Sequence, residues 1–99
     1  MKTFDEIRKT LSEHKSELRE KYKIKEIGVF GSYVRGEQKR KSDVDILVEF
    51  EESSSMSLLD FIGLENYLSD VLGVKVDLVE KQALKPRIGK RVLEEVVNV

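Results

Sequence analysis

From Val44 to Phe50 the chain reads V-D-I-L-V-E-F, and no other stretch narrows the fold so far. Alternate residues of a strand face opposite ways, so Val44, Ile46, Val48 and Phe50 share one wholly apolar face. Asp43, Asp45, Leu47 and Glu49 share the other. The apolar face must lie on a core. The second face opens with two carboxylates that leave the backbone side by side, so its leading end must look onto solvent or a ligand. Carboxylates so placed repel each other unless a cation lies between them.

The rest of the chain supplies partners for that strand. Phe4, Ile7, Leu11, His14 and Leu18 recur at helical spacing with charges between them, which predicts an amphipathic helix from about residue 4 to about residue 21. His14 lies on its apolar stripe with no other His, no Cys and no close carboxylate, so it reads as a packing histidine and not as a base or ligand. Ile24 to Phe30 is a short β-type run that ends at Gly31-Ser32, and residues 32 to 36 can make one helical turn. Ser57 and Asp60 form a capping-box signal for a helix carrying Leu58, Phe61, Ile62, Leu64, Leu68, Val71 and Leu72, with Gly73 as its stop. Gly63 inside that helix suggests close packing there. Val74 to Val79 predicts a third strand, with Asp77 on the face opposite Val76 and Leu78. Pro86 suits the first turn of a last helix whose apolar members are Ile88, Val92, Leu93, Val96 and Val97.

The predicted order is α-β-(short α)-β-α-β-α, an α/β (α+β) fold with a small mixed sheet of about three strands and helices packed on it. A full helix between the second and third strands predicts that they are parallel neighbours or near neighbours with a right-handed crossover. The dozen residues between the first and second favour an antiparallel pair. At 99 residues the expected organisation is a single domain over residues 1–99.

Composition removes several classes of function. A net charge of −1 gives no global case for binding nucleic acid. With no Cys and a single His, thiolate and histidine-rich metal sites are excluded, leaving Asp and Glu, hard oxygen ligands suited to magnesium or manganese. No segment approaches the ~20 apolar residues of a membrane span, and the N-terminus lacks a signal-peptide core, so a cytoplasmic location is expected. The wealth of Lys and Glu would suit a heat-adapted organism.

If the second and third strands are neighbours, Asp77 projects beside Asp45 and completes a cluster of three acids with Asp43. Phosphoryl-type transfer needs phosphate charge neutralised and an acceptor hydroxyl deprotonated, and two carboxylate-bridged metal ions do both. Gly31-Ser32 fits the remaining need: a glycine lets the backbone approach phosphate oxygens, the hydroxyl adds a donor, and a helical turn follows. Arg35 is placed to reach a phosphate, or to pin the loop by pairing with an acid of the cluster. Lys39, Arg40 and Lys41 read as a solvated loop, and Lys85, Arg87, Lys90 and Arg91 as a solvated helix face that would flank the nucleotide only if turned toward it.

Taken singly these features are commonplace; their spacing is not. Gly31-Ser32, ten residues, then Asp43-x-Asp45 opening a strand and Asp77 inside a later one resembles the minimal nucleotidyltransferases of the polymerase-β-like superfamily, the MNT antitoxin type. The small-protein form of that signature, G-S-x-x-R-G-x(5)-S-D-x-D, is also met by Arg35, Gly36 and Ser42. The resemblance implies that Asp43 and Asp45 hold two Mg2+ ions (Mn2+ being an alternative) and that Asp77 shares the catalytic ion and helps take the acceptor's proton. It implies that Gly31, Ser32, Arg35 and Ser42 bind the triphosphate. The implied reaction moves a nucleoside monophosphate, AMP from ATP, to a hydroxyl and releases pyrophosphate. The implied partner is a small helical HEPN-domain protein, with the chain acting as antitoxin by adding AMP to a tyrosine. Two alternatives stand beside it: a binding module that neutralises its partner by contact alone, and a transferase acting on a small molecule or RNA. Leftover apolar residues such as Val96, Val97 and Val99 permit a homo-oligomer or a partner contact.

Overall fold

The alternation between Val44 and Phe50 is realised as an inner strand of a four-stranded sheet. In the computed structural model, which describes residues 2–99, the elements are α1 (Phe4–Glu13), α2 (Lys15–Tyr22), β1 (Ile24–Phe30), α3 (Ser32–Arg35), β2 (Val44–Phe50), α4 (Leu58–Leu72), β3 (Val76–Glu80), α5 (Pro86–Glu95) and β4 (Val97–Asn98). A single 3-10 turn, Lys81–Ala83, joins β3 to α5. The sheet order is β3-β2-β1-β4. β1 runs antiparallel to β2 and to β4, and β2 runs parallel to β3, as the connection lengths require.

The apolar face of β2 builds the main core. Val44, Ile46 and Val48 are fully buried with Ile7, Leu11 and Leu18 from the N-terminal helices and Leu64 and Leu68 from α4. At about 25 cal/mol per Å2 of apolar surface, each such side chain contributes roughly 1.5–3 kcal/mol to burial. The opposite face is not left to solvent. Leu47 is buried too, and it lines a small cavity with Leu93 and Val96 under α5. Helices therefore cover both faces of the sheet, and the acidic end of β2 emerges where that cover stops.

Four expectations are corrected. The N-terminal helix is two helices: His14 leaves helical geometry (φ −101°, ψ 2°) and starts a second, offset helix. Its ring stays structural, with Nδ1–H donating to Thr10 O at 2.9 Å and the ring edge-on to Tyr67. The sheet has four strands instead of about three. Val96 and Val97 continue the helical apolar spacing of α5, but α5 ends at Glu95, and Val97–Asn98 pair with Val29 and Gly28 instead. The third strand starts at Val76, two residues later than expected. Gly63 packs against nothing, since a Cβ built there meets no atom within 4 Å, and its neighbours Leu59 and Ile62 are exposed. No helix is long and apolar enough to cross a membrane among the described residues.

β3 is an edge strand, and two of its outward amides are capped from α4. Ser69 Oγ accepts the Val76 N–H at 3.0 Å, and Glu65 Oε2 accepts the Leu78 N–H at 2.8 Å. These bonds flank Asp77 on both sides. Removing the carboxylate leaves a part-buried amide without a partner, so Glu65→Ala is expected to destabilise by about 1–3 kcal/mol, and Glu65→Gln, which keeps an acceptor, by much less. Urea denaturation of both variants checks this; equal losses would mean that the bond is not what holds the strand.

Candidate active site

The β2–β3 register places Asp45 directly beside Asp77, with Asp43 one step ahead of the strand, where the Val44 N–H donates to Lys75 O at 2.9 Å. Asp43 and Asp45 are half-buried, whereas Asp77 is exposed. From the other side, β1 ends with Phe30 opposite Asp45, and the chain turns at Gly31. Gly31 has φ +81° and ψ −153°, and a Cβ there would collide with Asp45 Oδ2. Only glycine lets the backbone pass this close to the carboxylate. Ser32 then opens α3, and Gly36 (φ 71°) closes it.

Crowding shows in the protonation of Asp45. Its carboxyl is pushed up from 3.8 to about 6, first by burial, then by the negative charges of Asp77 and Asp43, with Arg35 pulling weakly the other way. The three acids thus share a field that a cation would relieve. They do not form a closed cage: among the described residues no group of three acidic or histidine side chains is drawn together tightly enough to hold an ion alone. Magnesium is commonly held by one or two carboxylates together with substrate phosphates and water. The donor set, all carboxylate oxygen, fits such an ion.

Other expected residues lie beside the acids with different partners. Arg35 pairs with Glu37 and with Glu95, not with an aspartate of the cluster. Ser42 Oγ accepts the Lys39 N–H at 2.8 Å, and its own N–H returns to Lys39 O, so it closes the loop ahead of β2. The buried Tyr33 phenol is held neutral, its pKa raised by burial and by the charge of Asp43. Lys85, Arg87, Lys90 and Arg91 are exposed.

The residue missed in the sequence is Glu95. One of its carboxylate oxygens accepts the Gly31 N–H at 3.0 Å and the other binds the Arg35 guanidinium. The last turn of α5 therefore holds the glycine turn in place. The signal was present: Glu95 falls three residues after Val92, on the buried face of α5, where a carboxylate needs a partner.

Comparison with known proteins is consistent with this geometry. The chain matches the nucleotidyltransferase domain family over residues 11–99. It is 61% identical to the protein adenylyltransferase MntA of Thermococcus cleftensis over 99 residues, covering 100% of this chain and 98% of that one. A solved structure described as a minimal nucleotidyltransferase superposes with a TM-score of 0.82 at 36% identity, covering 99% of this chain and 97% of that one. A toxin–antitoxin structure containing AMP-PNP superposes at 0.69 with 26% identity, covering 96% and 70%.

Two expectations follow. A carboxyl whose folded pKa lies above its unfolded value holds its proton more tightly in the fold, so its contribution to stability falls as pH rises from 3.8 to about 6 and is constant above that. In metal-free protein, the stability of Asp45→Asn relative to the parent should therefore grow between pH 4 and pH 8, by about 1 kcal/mol after allowing for solvent screening of a half-exposed group. Denaturation at the two pH values measures it, and a gap that shrinks would contradict the shift. Separately, Glu95→Ala should speed hydrogen exchange at the Gly31 amide about tenfold, the loss of one hydrogen bond, without changing exchange in β2.

Proposed function

The chain belongs to the nucleotidyltransferase family, and on that premise we propose that it transfers AMP from ATP to a hydroxyl of a protein partner. The observation that carries this reading is the register of Asp45 against Asp77, with Gly31 packed on Asp45 and Asp43 beside them. The acceptor oxygen bonds to the α-phosphorus. The bond from that phosphorus to the α,β-bridging oxygen breaks, and its electron pair leaves with pyrophosphate. Asp77, exposed beside Asp45, is open to the acceptor hydroxyl and takes its proton. Ser32, at the start of α3, and Ser42, in the loop before β2, orient the phosphates. Gly31 gives the close approach, and Arg35, held by Glu95, keeps the turn in shape. A divalent ion held by Asp43, Asp45 and Asp77 would neutralise phosphate charge and acidify the attacking hydroxyl.

The partner in this reading is a HEPN-type toxin, with the chain as its antitoxin. Two similarities support it: the 61% relative is named a protein adenylyltransferase, and a solved neighbour of the same fold is an antitoxin in complex with a tri-AMPylated HEPN toxin. Contact alone would not require the crowded acids, whose mutual repulsion works against the fold.

The test is label transfer from α-labelled ATP with Mg2+ to a co-expressed small helical protein encoded beside this chain. Asp43→Asn or Asp45→Asn should lower transfer about 10^3-fold while the two proteins still co-purify. Neutralisation of the partner that persists in the doubly substituted protein, with no label transferred, would replace the enzymatic account by one of contact.

A further inference from the structure

Of the large apolar side chains that the fold leaves exposed, Leu58, Leu59 and Ile62 stand together on the opening turns of α4. Leu58 lines a hollow of about 780 Å3 at the end of β2 away from the acids, with Phe50, Phe61 and Leu78. Glu51, Glu52 and Glu80 line it too, and no cation does among the described residues. Across the 3-10 turn Lys81–Ala83 lies a second hollow, of about 520 Å3, with the opposite charge. Leu84, Pro86 and Leu93 give its apolar surface, and Lys81, Lys85 and Lys90 stand there against one acid, Glu94. Lys85 and Lys90 make no ion pair among the described residues. We propose that a second copy of this chain covers both hollows at once. The cationic surface of each copy, carried by α5, seats on the acidic hollow and α4 ridge of the other, about a two-fold axis near the Lys81–Ala83 turn.

The two surfaces adjoin because the turn lines both, with Gln82 and Ala83 on the acidic side and Lys81 on the basic side. Adjacent patches of opposite charge on one chain are complementary to each other, and a two-fold rotation satisfies both contacts and closes the assembly at a dimer. Setting α4 on α4 would instead oppose like charges, since that helix carries Asp60, Glu65 and Asp70 and no cation. Strand addition at β3 is hindered, because Ser69 and Glu65 already bind its outward amides at Val76 and Leu78. Contact between copies therefore runs through side chains. Gly63 supports the same surface. It weakens the middle of α4 without serving the monomer, as a Cβ there meets nothing within 4 Å. Beside Leu59 and Ile62 on the exposed side of the helix, it gives a second backbone room to approach. Asp43 and Asp45 lie toward the other end of β2, about 20 Å away for a strand of seven residues, so both acid clusters stay open in the dimer.

Sedimentation equilibrium of the full chain tests this. Wild type should be dimeric at about 100 µM in low salt, and raising salt from about 0.05 to about 0.5 M should raise the dimer Kd about tenfold. Glu51→Lys/Glu52→Lys and Lys85→Glu/Lys90→Glu, each checked by circular dichroism for a native fold, should each be monomeric under the same conditions. Mixing the two variants should restore a dimer holding one chain of each, read by native mass spectrometry, because the reversed charges then meet at both contacts. Leu59→Ser, at a side chain 80% exposed, should also weaken the dimer and keeps the proposal testable if a charge variant does not fold. Monomeric wild type, charge variants that stay dimeric, or a mixture that does not pair overturns the proposal. Assembly beyond a dimer overturns it as well, since the two-fold contact closes. Monomeric wild type that loses a co-expressed partner protein on Glu51→Lys/Glu52→Lys assigns the acidic hollow to that partner and overturns the second copy.

Discussion

The acid cluster depends on how β2 and β3 are paired. The two strands are parallel because α4 carries the chain back across the sheet, and the register matches Val44 to Val76 and Asp45 to Asp77. A slip of one residue would turn Asp77 to the face where Val76 and Leu78 are buried, and would bury a carboxylate without a partner. The register is thus enforced by the core on one side and by charge on the other. Edge amides at Val76 and Leu78 add a third restraint, since Ser69 and Glu65 bind them only when the strand sits in this frame.

Around that pair the chain places charges that the fold itself does not neutralise. Asp45 is raised to about 6 because burial and two like charges act on it together, and Arg35, the cation that opposes the shift, is engaged with Glu37 and Glu95. A domain selected only for stability would have closed this gap with a lysine or removed an acid. Glu95 makes the imbalance larger: it adds a further negative charge near Asp45 in return for fixing the Gly31 amide and the guanidinium. The position of the turn therefore takes precedence over electrostatic comfort, as expected where a cation and a phosphate complete the site.

The strand from Val44 to Phe50, the parallel crossover and the glycine turn were legible in the sequence because each is a local pattern with one physical solution. What escaped depended on relations between distant residues. Helical spacing from Ile88 through Val97 is continuous, and only the open edge of β1 explains why the chain leaves the helix after Glu95 and pairs there. His14 fits an apolar stripe, and nothing local announces the offset between α1 and α2. Gly63 looked like a packing glycine, but its surroundings are solvent. Arg35 was expected to choose between a phosphate and an acid of the cluster; its partners are Glu37, its near neighbour, and Glu95, which lies far down the chain.

Position and charge constrain the acid cluster in different ways, and this bears on how the site tolerates change. The acids and Gly31 work by geometry: Asp45 touches the space a Cβ would need, so neither residue has a substitute of different shape. The charges of Asp77, Asp43 and Glu95 act on Asp45 instead by summed field, which falls slowly with distance and does not depend on one atom's placement.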